Sequence, residues 1–189
     1  MTWDELNYLC YNCTDCQLCR TRHNVVIGVG NIHSKILFVG EGPGYYEDMQ
    51  GEPFVGNAGK LLDKMLGAIN LDRSQVYIAN IVKCRPPQNR DPLPEEQNAC
   101  IKYLRQQFKL IRPQIIVCLG RIAAKAIIEP EFRITRDIGK WYNKKGIDII
   151  ATYHPSALLR DESKKPAAWE DFKQIRDKLK EINERENHE

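Results

Sequence analysis

Four short apolar runs constrain this chain more than any other feature: "KILFVG" at 35–40, "VYIAN" at 76–80, "IIVCLG" at 115–120 and "DIIATY" at 148–153. They are β-branched and nearly continuous, the pattern of strands buried on both faces. Helical spacing fills the intervals, with "AGKLLDKMLGAI" at 58–69, "EEQNACIKYLRQQFKLI" at 95–111 and "RIAAKAII" at 121–128. Strands that alternate with helices predict an α/β fold with a central four-stranded parallel sheet and helices on both of its faces. A last helix over roughly 167–186 closes the chain, and its charged final turns are expected to fray.

The 189 residues suit one domain of ordinary size, so 1–189 is read as a single unit, expected to be a monomer. The 28 Lys and Arg nearly balance the 25 Asp and Glu, so a surface for nucleic acid must be local. The apolar runs are too short to cross a bilayer, and "MTWDELNYLC" lacks the basic-then-apolar order of a signal peptide. An intracellular, cytoplasmic protein with no membrane partner is expected. There are seven cysteines, four of them at three-residue intervals (Cys10, Cys13, Cys16 and Cys19), and an odd count without a signal peptide favours metal-bound thiolates over disulfides. By spacing alone all four match an iron-sulfur run, with zinc on four thiolates as the alternative.

Ligands of such sheets bind beyond the carboxyl ends of the strands. The first run leads into "GEGPG", the second ends on Asn80, the third leads into "GR", and the fourth into "HPSALLR". "GEGPG" lacks the spacing of a dinucleotide or phosphate loop, but its glycines let backbone come close to a flat ligand. His154 stands at a strand mouth before a proline. Leu158 and Leu159 are expected to be exposed, and exposed leucines on a polar loop want a partner. In "KCRPPQNRDPLPEEQNAC", Lys83, Arg85 and Arg90 form the expected local basic patch, and a helix opens at Pro94.

Four motifs, "GEGPGYYED", "GEPFVGNAGKLL", "NIVKCRPPQNRDPLPEE" and "HPSALLR", resemble in order and spacing family 4 of the uracil-DNA glycosylases, the iron-sulfur class of bacteria and archaea. The likeness runs from about Cys13 to Arg160. It implies a repair enzyme that flips uracil out of double- or single-stranded DNA, hydrolyses the N-glycosidic bond and leaves an abasic site. It further implies that Glu41, Gly42 and Pro43 line the uracil pocket, that Phe54 stacks on the base and that Asn80 reads its edge. His154 then donates to the leaving base, and Glu41 orients the water, with Glu47 as the alternative and as the group that crowds the uracil C5 edge. The likeness gives a 4Fe-4S cluster to Cys13, Cys16, Cys84 and Cys100, and leaves Cys10, Cys19 and Cys118 spare. For DNA, Leu158 with Leu159 is the expected wedge, Arg160, Lys60 and Arg85 are the expected phosphate contacts, and Asn57 departs from a position that is often basic. DNA binding would associate the protein with the nucleoid. An iron-sulfur redox or electron-transfer protein, a non-catalytic DNA-binding module and a glycosylase of broader specificity are the rival readings.

Overall fold

The computed structural model describes residues 1–189 and sets the four apolar runs side by side as β2 (Ile36–Gly40), β3 (Tyr77–Asn80), β4 (Ile115–Leu119) and β6 (Ile147–Thr152). The sheet has six strands rather than four. A two-residue β1 (Val29–Gly30) and the half-exposed β5 (Trp141–Lys144) flank the parallel centre, in the order β1-β3-β2-β4-β6-β5. Both additions pair antiparallel to their neighbours. β5 joins β6 through Lys145 and Gly146, whose φ values of 52° and 84° make the tight turn a hairpin requires. Neither edge strand carries a long apolar run, because an edge strand buries little.

In the centre, Phe38 pairs with Ile78 and Val117, and Val117 pairs in turn with Ile150. Strand alternation sends these four to one face, where they pack with Leu62, Leu66, Phe172, Ile175 and Ile182. Those five come from α3 (Asn57–Ala68) and α8 (Lys165–Glu186). Leu37, Ala79, Ile116 and Ala151 face the other way, toward α1 (Trp3–Tyr11), α4 (Pro94–Ile111) and α5 (Arg121–Ile127). Each such fully buried Leu, Ile or Phe contributes roughly 1.5–3 kcal/mol, which holds the two layers on the sheet.

α8 runs to Glu186. Glu186 accepts from Gln114 Nε2 at 2.6 Å and pairs with Lys35, which tethers the last turn beside the starts of β2 and β4. No helix is long and apolar enough to cross a membrane. The four parallel strands end together, and Gly40, Asn80, Gly120 and His154 meet at that edge. Short helices α2 (Tyr45–Gln50), α6 (Ile134–Asp137) and α7 (Pro155–Arg160) lie in the connecting segments.

Candidate active site and cysteine cavity

Beyond the strand ends lies a cavity of about 190 Å³ lined by Phe54, Asn80, Asn89 and His154. Its shape depends on two glycines. A Cβ on Gly40 would stand 2.5 Å from Asn80 Oδ1 and 2.7 Å from Phe54 Cζ, and one on Gly59 would stand 1.8 Å from the Phe54 carbonyl oxygen. Phe54 itself is held at φ 53°, a left-handed conformation that costs a non-glycine residue on the order of 1–3 kcal/mol. Arg73 offsets that strain by donating to the carbonyls of Pro53, at 2.9 Å, and of Phe54. The Phe54 ring then stacks on His154, with centroids 5.3 Å apart.

Asn80 is 2% exposed, and its Oδ1 is the one buried side-chain polar atom without a partner. A buried acceptor left open costs roughly 1–3 kcal/mol, so its place in the wall of a cavity marks a ligand contact. His154 caps α7, and its Nδ1 accepts from the Ser156 amide at 3.0 Å and faces the Ser156 hydroxyl at 2.7 Å. Desolvation first, then Arg160, depresses its pKa to about 4. The ring is therefore neutral, and since Nδ1 accepts, the proton sits on Nε2.

A larger cleft of about 480 Å³ adjoins this cavity and holds Glu41, Gly42, Pro43, Asp91, Arg121 and Arg160. Burial first, then Asp91, raises the Glu41 carboxyl to about 7. Glu47 lines both cavities, and its carboxylate accepts from the amides of Gly44 (3.0 Å), Val55 (3.2 Å) and Gly56 (3.0 Å), clamping the two ends of the pocket loop together. Such a carboxylate shapes the loop and has little capacity left for water.

Two expectations about the DNA side need correction. Leu158 is not exposed: it is 1% accessible, because "PSALLR" is a helical turn that lays this side chain inward, while Leu159 is 47% exposed. Lys83 is not part of a basic patch either. It is 1% exposed and donates to the Asn80 carbonyl (2.9 Å) and to Gln107 (2.7 Å). Arg90 pairs with Glu96, and Arg85 donates to Asn89 and lies 5.4 Å over the Tyr45 ring. Lys60 and Arg160 are exposed, at the start of α3 and the end of α7. Tyr45 and Tyr46 are exposed on the rim of the smaller cavity, on a helix that the motifs alone present as loop. Asp91 and Arg121 are further members of the cleft that the motifs do not single out, although "GR" stands in a place where chemistry is expected.

Cys13, Cys16, Cys84 and Cys100 line one small cavity together with Cys10 and Cys19, whereas Cys118 is buried in β4. The Lys83 amide donates to Cys100 Sγ at 3.2 Å, and Arg22 donates to Cys84 Sγ at 3.4 Å and to the Cys13 carbonyl at 2.8 Å. Burial pushes the Cys100 thiol up to about 11, so a bound cation is what would turn it into a thiolate. The cysteines line the cavity wall, and no three acidic, His or Cys side chains converge on one point.

Residues 27–174 match the model of the uracil DNA glycosylase superfamily. A type-4 uracil-DNA glycosylase of Archaeoglobus fulgidus is 50% identical over 172 residues, covering 87% of this chain and 86% of that one. One from Thermotoga maritima is 48% identical over 155 residues, 80% of each chain. A type-5 enzyme of Pyrobaculum aerophilum is 31% identical, over 68% of this chain and 64% of its own.

Proposed function

This chain belongs to the uracil-DNA glycosylase superfamily, beside its type-4 members, and from that premise we propose how its own residues select and release uracil. Its activity is the DNA-repair hydrolysis that frees uracil from DNA and leaves an abasic site. The open acceptor of Asn80 carries the assignment of the pocket. Oδ1 accepts from uracil N3–H and the amide NH₂ donates to O4. Cytosine presents an acceptor and a donor in the reverse order, which leaves buried groups unpaired and rejects the base. A duplex hides these edges, so the base enters only once flipped out, with the Phe54 ring as its stacking partner.

As the bond to the sugar breaks, its electron pair leaves with uracil N1 and spreads to O2. His154 donates from Nε2 to O2, a preorganised bond aimed at the developing charge. Glu41 orients the water whose oxygen joins the sugar carbon, and Glu47 keeps the loop in shape. Leu159 takes the wedge role expected of Leu158, since an exposed apolar side chain is what enters a base stack. Arg160, Lys60 and the uncapped start of α3 contact phosphates, with Arg85 at the rim. Residues 1–189 work as one domain and one copy, on double- and single-stranded DNA, in the cytoplasm at the nucleoid.

Six thiols line one cavity, and the four that the family likeness assigns, Cys13, Cys16, Cys84 and Cys100, suit a 4Fe-4S cluster, with N–H donors aimed at two of their sulfurs. Corner thiolates of a cluster stand apart, unlike the ligands of a single zinc ion. When bound, the cluster ties the N-terminal segment to the start of α4. The activity test is incubation with a uracil-containing oligonucleotide, then alkali. Cleavage at the uracil, and none at cytosine or thymine controls, is expected; an intact strand would overturn the assignment.

A further inference from the structure

Two charged side chains of the cleft have no part in reading the base or stabilising it as it leaves. Asp91 lies in the segment that leads into α4, and Arg121 opens α5 directly after β4; they form an ion pair. Asp91 and Arg121 line the same cleft as Glu41, and Asp91 is near enough to raise the Glu41 carboxyl. Two carboxyl groups can bond to each other only through a proton that one of them holds. Arg121, paired with Asp91, favours Asp91 as the charged member.

We propose that Asp91, held by Arg121, is the positioning residue for Glu41: once Glu41 has taken the proton of the water, Asp91 accepts a hydrogen bond from it and holds the protonated carboxyl in place. The proposal rests on the assignment of Glu41 as the water-orienting group. In the step itself the water oxygen bonds to the sugar carbon and one water O–H bond breaks. The released proton goes to Glu41, is shared with Asp91 and passes to solvent through the open cleft. The electron pair of the glycosidic bond leaves with uracil.

The charges around Glu41 set the sign of the pH effect. Its carboxyl titrates near 7 because burial and Asp91 raise it more than Arg121 and Arg160 lower it. Other charged groups of the cleft are engaged or distant in pH: Arg90 is paired with Glu96, the Glu47 carboxylate holds three amides, and His154 titrates near 4. Lys164 also lines the cleft, with its Nζ over the Tyr153 ring. Below its pKa, Glu41 is protonated and cannot take the proton of the water, so the rate must fall as pH drops through about 7.

The experiment is single-turnover release of uracil from a single-stranded oligonucleotide, followed from pH 5 to 9. The parent protein should retain about one thirtieth of its plateau rate at pH 5.5, as one ionisation near 7 dictates. Asp91→Asn should move the acid limb to lower pH and reduce the plateau, because the raising charge is lost and a weaker, neutral amide acceptor replaces the carboxylate. Arg121→Gln should move it to higher pH, because a lowering charge is lost, and a purely structural role would not shift the limb in opposite directions. An unshifted limb in both variants, while Glu41→Gln still abolishes the fast phase, would overturn the role of Asp91 alone. Parent-like release by Glu41→Gln would overturn the assignment of Glu41 and the proposal with it.

Discussion

His154 combines two tasks because it is the cap of α7: its Nδ1 satisfies the free Ser156 amide, and that bond leaves the proton on Nε2. A charged imidazole would bind the anion more strongly but is too costly to desolvate here, so a neutral donor results. His154→Ala should slow uracil release from single-stranded and duplex DNA alike, by about two to three orders of magnitude, as the loss of an oxyanion-type donor does. Leu159→Ala should instead spare the single strand and slow the duplex, most of all U·A, whose pairing costs more to open than a U·G mismatch. Leu158→Ala should act on neither ratio but lower stability by about 2–5 kcal/mol, the usual effect of emptying a buried leucine site. Single-turnover rates on the two substrates, with thermal melts, separate the three. The difference between the adjacent leucines was not legible in "ALLR", since only the helical turn decides which of the two faces inward.

At the scale of elements, the stretch from Gly40 to Phe54 is not a loose loop: it carries the short helix α2 (Tyr45–Gln50), which is pinned by its two acids. Asp48, buried, accepts from the amides of His23 and Asn24 and pairs with the His23 ring, while Glu47 gathers Gly44, Val55 and Gly56. The glycines and the two adjacent acids of "GEGPGYYED" are what such a clamp requires, a carboxylate facing amides that no side chain obstructs. Glu47→Ala should leave three amides without their acceptor, so stability should fall by about 1–3 kcal/mol and uracil release should fall with it. A G·T duplex gives the check: thymine should still be refused. Thymine release by a variant of unchanged stability would instead return Glu47 to its expected place beside the base.

For the molecule as a whole, the cysteine cavity adds to the packing that already holds α1 and residues 12–20, where Leu6, Cys10 and Leu18 are buried in the core and Asp15 pairs with Lys102. Closing so long a loop through a shared site stabilises the fold by restricting the unfolded chain. Anaerobically purified protein should be brown with about four irons and four sulfides, the content of that cluster type. Cys84→Ala or Cys100→Ala should remove the colour and lower the melting temperature, and Cys118→Ala, buried in β4, should leave the colour intact. Iron and sulfide analysis of each variant is the measurement, and stoichiometric zinc without sulfide would exclude the cluster. Lys83 bridges the cysteine cavity and the strand end at Asn80, as its amide donates to Cys100 and its Nζ to the carbonyl of Asn80.

The sequence by itself determined the parallel centre of the sheet, because strands buried on both faces must be apolar throughout, and it placed the chemistry at the strand ends. It also carried the pocket residues Phe54, Asn80 and His154 in motifs whose order marked the family. What only the tertiary structure decided were the partners. That Glu47 faces amides, that Lys83 is buried, that Leu159 and not Leu158 reaches solvent, and that Asp91 shares a cleft with Glu41 all depend on contacts between segments far apart in the chain. Local spacing specifies the face of a helix or strand, but the group that waits on the other side is set by packing. The edge strands belong to the same class, for β1 and β5 bury too little to mark themselves and exist because the central strands leave open hydrogen-bonding edges beside them.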